Sequence, residues 1–492
     1  MFKTIIQKIR RWFYQMNLVK GIKSVSKLPD IPVDDAFYQK IDQWKALYAG
    51  YLSDFHDVKY KTIDGEKERR RASLQMPKVV SQELASLIFN ERCEINISDD
   101  ALSENIKDVF DNNRFYKLFQ DNLEYTFALG GLVIKPYVED GSIKLSFVTA
   151  DCFIPVSWDN KGIREGVFIN ITKKGDKTYT LLEWHLWESG NYVIRNVLYE
   201  SQNGNELGVE VSLDTLYPDL EPELIIYTFT RPNFAYFKPN SANNIDLNSP
   251  LGVSVYANAL DTLKSLDIAF DSFQREFALG KKRIIVPASA VKTVIDPDNG
   301  EMRRYFDTDD EAYEALGFGD QDSDAIKEVS FELRVEEHQA AIQAFLNILA
   351  MQIGFSPGAF TFDGQGVKTA TEVVSENSKT FRTKQSHENV IEAGLQELIE
   401  CIVQTADMYG LWKASEDYEV TVAFDDSIAE DQTAEINRQV LLITNKLQTR
   451  KKAIVKIYGY TEEEAEQLVK EILEENKTIS PENVDFFGVG NE

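Results

Sequence analysis

Histidine and cysteine are scarce in this chain, with four and three copies among 492 residues. Cys93, Cys152 and Cys401 are far apart and odd in number. No disulfide framework is implied, and the usage suits a reducing cytoplasm. His56, His185, His338 and His387 lie near no cysteine at zinc spacing. His387-Glu388 begins like a zincin helix, but Ile391 stands where the second histidine is required. Gly364-Gln-Gly-Val-Lys-Thr369 has the residue types of a nucleotide loop, yet Val367 occupies the place of the glycine that must precede Lys-Thr. Asp309, Asp310 and Glu311, and likewise Asp320, Asp322 and Asp324, read as solvated acidic faces rather than a metal cluster. No catalytic residue, cofactor or metal is therefore expected. No apolar run approaches the roughly 18 residues of a membrane span. Basic charge is also short: 53 Lys and Arg face 80 Asp and Glu, a net −27. Tight wrapping of nucleic acid needs clustered Lys and Arg, so this balance disfavours it.

Apolar and aromatic residues are present in quantity. Hydrophobic content is 43 %, with 29 Phe and 21 Tyr, ample for a folded core. The length allows about two to four domains. Residues 1–27 carry seven Lys or Arg, and no acid occurs before Asp30. Phe2, Ile5, Ile6, Ile9, Trp12, Phe13 and Met16 recur there at helical spacing. This segment reads as a surface helix packed by its apolar face, or as a basic arm touching an acidic partner, membrane or nucleic acid.

Residues 34–125 read as mostly helical, with helices near 35–51, 77–90 and 101–129. Short strands follow at 132–138, 143–148, 166–171, 179–186 and 192–198. Asp140-Gly141, Lys174-Gly175-Asp176 and Ser189-Gly190-Asn191 supply turns between them. The fold class is α+β, an antiparallel meander packed on helices. Ser249-Pro250 reads as a helix start, and the helix behind it as running to Gly280, about 45 Å long. Residues 281–335 form a compact insert with strands near 283–286, 291–295, 302–306 and 331–335, a short acidic helix, and a turn at Asp296-Pro-Asp-Asn-Gly300. A helix over 336–353 closes the insert. A glycine-rich loop, 354–368, holds Phe355, Phe360 and Phe362 and leads into a helix over 369–409. The first half of that helix has one large apolar residue in fifteen, which predicts a face toward water or other polar surfaces. A strand near 420–424 and helices at 433–447 and 461–477 end the pattern.

This order resembles the portal proteins of tailed bacteriophages, in the branch found in long-tailed phages of Gram-positive bacteria. Several stretches are also similar in wording: Ile41-Asp-Gln-Trp-Lys-Ala-Leu-Tyr48, Met76-Pro-Lys-Val-Val80 with Asn90-Glu-Arg-Cys93, Pro250-Leu-Gly-Val-Ser-Val-Tyr256, and Lys368-Thr-Ala-Thr-Glu-Val373. The resemblance covers nearly the whole chain, and its ordered set carries it rather than any single motif. It implies a multidomain portal fold. The parts are a wing over 1–249, stem helices over 250–280 and 336–353, a clip over 281–335, a tunnel loop over 354–368, a wall helix over 369–409, a distal strand and helical crown over 410–477, and a tail over 478–492.

The resemblance further implies a homo-oligomeric ring, usually of twelve subunits, at one capsid vertex of the virion, assembled in the host cytoplasm. Double-stranded DNA would pass through it without sequence recognition during packaging and ejection. The implied partners are the packaging terminase ATPase, a head-completion adaptor that joins head to tail, and the major capsid and scaffolding proteins. No small-molecule substrate and no membrane is implied. Asp261, Lys264, Asp267 and Asp271 are the implied channel-lining candidates on the first stem helix, with Phe355, Phe360, Phe362, Gly364, Gly366 and Lys368 on the tunnel loop. Lys379 and Arg382 form a basic face of the wall helix, serving salt bridges between subunits or transient phosphate contacts. Asp298, Asn299, Gly300, Arg303 and Arg304 lie on the clip surface implied to meet motor and adaptor. The alternative class is a non-enzymatic cytoplasmic or membrane-peripheral scaffold that uses the basic N-terminal segment, and subunit count separates the two. Purified protein is expected neither to hydrolyse ATP nor to cut DNA with Mg²⁺ present. Activity that survives purification and vanishes on a single carboxylate substitution contradicts this reading.

Overall fold

The computed structural model describes residues 31, 35–62, 65–90, 92–202, 206–280, 283–285, 292–295, 302–305, 327–329, 332–362, 378–415, 417–424, 432–458 and 461–478. The basic segment 1–27, the turn 296–300, the acidic helix expected before residue 327, the loop from 363, and the tail 479–492 lie outside them.

The chain begins with α1 (Asp35–Tyr48), the short α2 (Ser53–His56) and a hairpin, β1 (Asp57–Thr62) with β2 (Gly65–Arg70). The hairpin was not expected: its strands are mostly charged and carry only Val58 and Tyr60 as large apolar residues, although Asp64-Gly65 is a turn signal. Next come α3 (Met76–Ile88), β3 (Glu94–Ile97), α4 (Asp100–Asn112) and α5 (Phe115–Leu129). The single helix expected over 101–129 is two. Arg114 takes φ 50°, and the Asn113 side chain donates to Val109 O and Ile143 O while Leu145 N donates to its amide oxygen. Apolar spacing persists through the break because Phe110, Phe115 and Phe119 stack into one core.

The meander is present and longer than expected: β4 (Leu132–Glu139), β5 (Ser142–Thr149), β6 (Phe153–Asp159), β7 (Gly162–Lys174), β8 (Lys177–Glu188) and β9 (Asn191–Ser201). Asp140-Gly141 and Ser189-Gly190 turn with φ 53°/71° and 51°/84°, the twist that two-residue hairpins favour. Two sheets result. One is β10 (Val209–Val211), β9, β8, β7 and β6 in order, with β11 (Glu223–Ile226) also on β9. The other is β12 (Ala235–Phe237), β4 and β5. A buried polar chain ties them. Lys135 pairs with Glu183, His185 Nε2 lies 2.7 Å from the same carboxylate, and His185 Nδ1 lies 2.7 Å from Tyr192 OH. Asn233 N donates to that hydroxyl, and Thr405 donates to the Asn233 side chain. Burial opposes the Glu183 charge, but Lys135 and His185 outweigh it and hold the carboxyl well below the usual range.

Residues 250–256 are not helical, contrary to expectation. A 3₁₀ turn at Ala257–Ala259 leads into α6 (Leu260–Leu279), of 20 residues and about 30 Å. Tertiary contacts override the Ser-Pro signal. Gly252 N donates to Tyr236 OH, Val255 N to Phe127 O, and Tyr256 OH to the Trp44 carbonyl. The insert keeps its expected strands in β13 (Arg283–Ile285), β14 (Lys292–Ile295) and β15 (Met302–Tyr305), but the last strand, β16 (Lys327–Val329), lies earlier than 331. β13 pairs with β16, and β14 with β15. α7 (Val335–Ile353) packs beside α6. α8 (Ser378–Met408) lies on the β12-β4-β5 sheet, where Gly394 lets the helix approach Phe237. β17 (Val420–Ala423) pairs with β3, and α9 (Gln432–Thr444), α10 (Arg450–Tyr458) and α11 (Glu462–Thr478) follow. One apolar core spans α1, α3, α5, α6, α7, α8 and the smaller sheet, with Trp44, Phe115, Phe119, Leu266, Leu349 and Leu398 fully buried.

Gly130 caps α5 at φ +88°, and a Cβ there would lie 2.6 Å from Gly252 O. Gly130→Ala combines a left-handed backbone with that overlap. A left-handed non-glycine residue alone costs roughly 1–3 kcal/mol, so the urea midpoint should fall markedly. An unchanged midpoint would show that the crossing is not tight.

Candidate functional site

The two helices flanking the insert, α6 and α7, and the loop that follows them hold most of the residues singled out above. Three of the four acids on α6 bind partners within the chain. Asp271 sits on the buried side and accepts from both terminal nitrogens of Arg69, at 2.7 and 2.6 Å, and from Ala72 N. The Arg69 guanidinium holds its carboxyl below the usual range. Asp267 accepts from Leu74 N and lies 3.7 Å from His56 Nε2, and burial pushes its carboxyl up. Asp267 and Asp271 are 8 % and 7 % exposed in the single chain, whereas the resemblance had offered them as channel-lining candidates beside Asp261 and Lys264. The α6 helix buries this stripe against the hairpin and residues 71–75. Lys264 is half-buried, with its ammonium over the Phe55 ring, and Asp261 is exposed.

At the base of the insert, Glu276 receives a two-pronged Arg334 guanidinium at 3.0 and 2.9 Å, which lowers its carboxyl to about 2. This clamp joins the end of α6 to the start of α7. Arg69 and Arg334 carried no signal in the sequence, since a charged hairpin and a lone arginine before a helix match no motif.

The start of the glycine-rich loop is built onto α7. Gly354 ends that helix at φ 91°, and its carbonyl accepts from Thr383 Oγ1 at 2.7 Å. Phe355 is buried and meets Phe360, with ring centres 5.4 Å apart. Phe362 meets Phe273 of α6 at 6.0 Å. Gln343 donates to Phe360 O and accepts from Phe362 N. The three phenylalanines therefore pack on the paired helices. Gly364, Gly366 and Lys368 lie outside the described residues. On α8, Lys379 donates to Met351 O at 2.6 Å, and Arg382 is exposed and partnered. The polar half of α8 departs from expectation. Lys384 and Glu388 pair at 2.6 Å while 2 % and 9 % exposed, and buried His387 accepts from Asn240 N at 2.9 Å. Burial lowers His387 to about 4. Of the insert's candidates, Arg303 and Arg304 lie on β15 opposite Val294 and Thr293. Asp298, Asn299 and Gly300 lie outside the described residues.

An apolar stripe runs along the outer surface of this helix pair. Ala340, Ala341, Ala344, Ile348 and Met351 are exposed along α7, and Ile268 and Leu279 along α6. No group of three His, Cys, Asp or Glu residues among those described is arranged to hold a metal, and no described helix is long and apolar enough to cross a membrane.

Two sheets and a helical core around a helix pair that carries an inserted strand module define a mixed α+β architecture among the described residues. The sequence matches the family described as phage portal protein, SPP1 Gp6-like, over residues 29–481, and the chain belongs to that family. No curated protein matches it.

Asp271 and Asp267 should respond oppositely to pH. Asp271 is depressed, so its contribution holds above the unfolded carboxylate range and is lost as pH falls through the folded value. Asp267 is raised, so its ionised form costs stability at neutral pH and protonation relieves the cost. Asp271→Asn should lose roughly 1–3 kcal/mol near pH 7, and the gap should close on acidification. Asp267→Asn keeps an acceptor for Leu74 N and should lose less. Urea titrations at several pH values check both, and equal losses would contradict the assignment.

Proposed function

We propose that this chain is the subunit of a closed ring at one capsid vertex, through which double-stranded DNA is packaged and later ejected, and onto which the tail is joined. Family membership supports the portal role, and one structural observation supports the ring. Ile348, Met351, Ile268 and Leu279 are 41 %, 57 %, 44 % and 55 % exposed on helices whose opposite sides are fully packed. An exposed apolar stripe of this kind fits burial against a neighbour, and a repeated head-to-tail contact closes a ring. Twelve subunits is the number proposed.

In this reading the wing is 1–249, the stem helices are α6 and α7, the clip is 281–335 and the tunnel loop is 354–368. The wall helix is 369–409 and the crown lies within 410–477. The lining proposal narrows to Asp261, with Lys264 at its margin, and to the loop from Phe360 onward. Gly364 and Gly366 give that loop its freedom to re-bend beside the duplex. Lys379 and Arg382 face a neighbouring subunit. Asp298, Asn299, Gly300, Arg303 and Arg304 meet the packaging terminase during filling and the head-completion adaptor afterwards. Major capsid and scaffolding proteins contact the outer parts, and the ring resides in the virion.

Light scattering and electron microscopy on purified protein should show a closed homo-oligomer. A stable monomer or dimer at micromolar concentration would overturn the reading. Ile348→Asp with Met351→Asp should abolish the ring while leaving far-ultraviolet circular dichroism unchanged, because both side chains are exposed in the folded subunit. Rings that form normally with both substitutions would place the contact elsewhere.

A further inference from the structure

Between Arg195 and Arg231 the chain has no Lys or Arg, and it has seven acids: Glu200, Glu206, Glu210, Asp214, Asp219, Glu221 and Glu223. The fold gathers this stretch at one edge of the larger sheet. There β10 and β11 both pair with β9, one toward each end, and the registers of the two stop short of Asn196 and Val197 between them. The gap is an open cleft of about 370 Å³, with Glu210, Asp214, Asp219 and Glu221 among its lining residues. Two acids of the stretch are already neutralised, Glu200 by Lys177 and Glu223 by Arg195. Glu210, Asp214, Asp219 and Glu221 have no ion pair among the described residues.

A second observation points to a ligand here. Asn196 lines the cleft and is 8 % exposed. Its amide nitrogen donates to Glu221 O at 2.8 Å and its backbone N–H to Pro222 O. The buried side-chain oxygen has no hydrogen-bond partner among the described residues. A buried acceptor left unmatched calls for a donor. The cleft thus offers acceptors and negative charge. The carboxylates do not converge as a metal site requires, so the fitting guest is an extended cationic chain with N–H donors. The flanks are apolar: Val209, Leu224, Ile225 and Tyr227 are 67 %, 37 %, 44 % and 76 % exposed. The guest must therefore carry large apolar residues as well.

Residues 1–27 have that composition. Lys3, Lys8, Arg10, Arg11, Lys20, Lys23 and Lys27 are seven cations with no acid among them, interleaved with Phe2, Ile5, Ile6, Ile9, Trp12 and Phe13. Thirty residues of chain ahead of Ile31 can extend about 100 Å at most, so the span allows the cleft of the same or an adjacent subunit. We propose that the basic segment 1–27 docks in the acidic cleft between β10 and β11, with a Lys or Arg donor meeting Asn196 Oδ1. The docked segment neutralises the wing edge and is held from DNA phosphates. The attraction spans exposed charges, so it weakens with salt as the Debye length shrinks below about 8 Å.

Disulfide trapping in the full-length chain tests this. Gln7→Cys is combined with Thr215→Cys, next in sequence to the cleft-lining Asp214, or with Glu471→Cys on the acidic helix α11 as the competing acidic surface. Cys93, Cys152 and Cys401 are buried and stay out of the reaction. Oxidation should trap the first pair several-fold more than the second, within a chain or between chains. The yield should fall with Glu210→Lys plus Glu221→Lys, and return when Lys8→Glu and Arg10→Glu are added. All these sites outside 1–27 are exposed, and circular dichroism confirms folding of each variant. Equal trapping at both places, preference for residue 471, or a yield unaffected by charge reversal overturns the proposal. Ring formation is read separately, so loss of this contact and failure of the portal reading are distinguishable.

Discussion

The direction of the helix pair depends on how the chain passes through residues 250–259. Gly130 and Gly252 cross so closely that a Cβ on either would overlap the other's carbonyl. Phe127 O receives Val255 N, and Tyr256 reaches across the core to Trp44 O. Leu251, Val253 and Tyr256 are buried in the same core as α1 and α5. The segment is thus an extended plug in the N-terminal half, and α6 can begin only after it. This fixes where α6 emerges and which side faces the hairpin. The Arg69–Asp271 pair and the Asp267–Leu74 bond then set its rotation.

That rotation changes the electrostatic argument for a channel. Thirty ångströms of duplex presents roughly 18 phosphates, and strong basic contacts would stall it. An acidic wall is one remedy. Here, however, Asp267, Asp271 and Glu276 of α6 are tied to backbone amides or arginines. Asp261 and Arg275 are the charged residues that α6 exposes. The net −27 overstates the charge that this helix exposes. In the proposed channel, a surface with few free charges of either sign would leave phosphates loosely held, without repulsion having to do so.

Local signals made much of the fold legible. Two-residue turns at Asp140-Gly141 and Ser189-Gly190 need left-handed backbone, and they located the meander because nothing distant competes with them. Three of the four expected strands of the insert and the helix over 335–353 were legible for the same reason. Ser249-Pro250 misled because a cap signal is local, whereas the glycine crossing that overrides it links positions more than a hundred residues apart. The break at Arg114 was hidden because both halves feed one aromatic stack. For the candidate site, sequence placed Phe355, Phe360 and Phe362 in one segment but not against Phe273 and Gln343. It could not rotate α6, since Asp267 and Asp271 are polar residues whose burial depends on a charged hairpin two hundred residues away.

The polar half of α8 shows why counting apolar residues fails for burial. Lys384 and Glu388 are one helical turn apart, so each supplies the other's counter-charge before tertiary packing begins. His387 stays neutral and accepts from Asn240 N, against the edge of Phe127. Three polar residues thus enter the interior with their partners and demand little from the surrounding core. Replacing one of them is a different matter, because an unmatched buried charge costs more than the pair contributes. The next turns of the helix then carry Ile391, Leu395, Leu398 and Ile402 into the main core. One helix therefore joins the loop-bearing end, where Thr383 holds Gly354, to the sheet end, where Thr405 holds Asn233. The hairpin is tied instead to α6 through Arg69 and Asp271 and, just past the end of α1, to Gly50 O through Arg70.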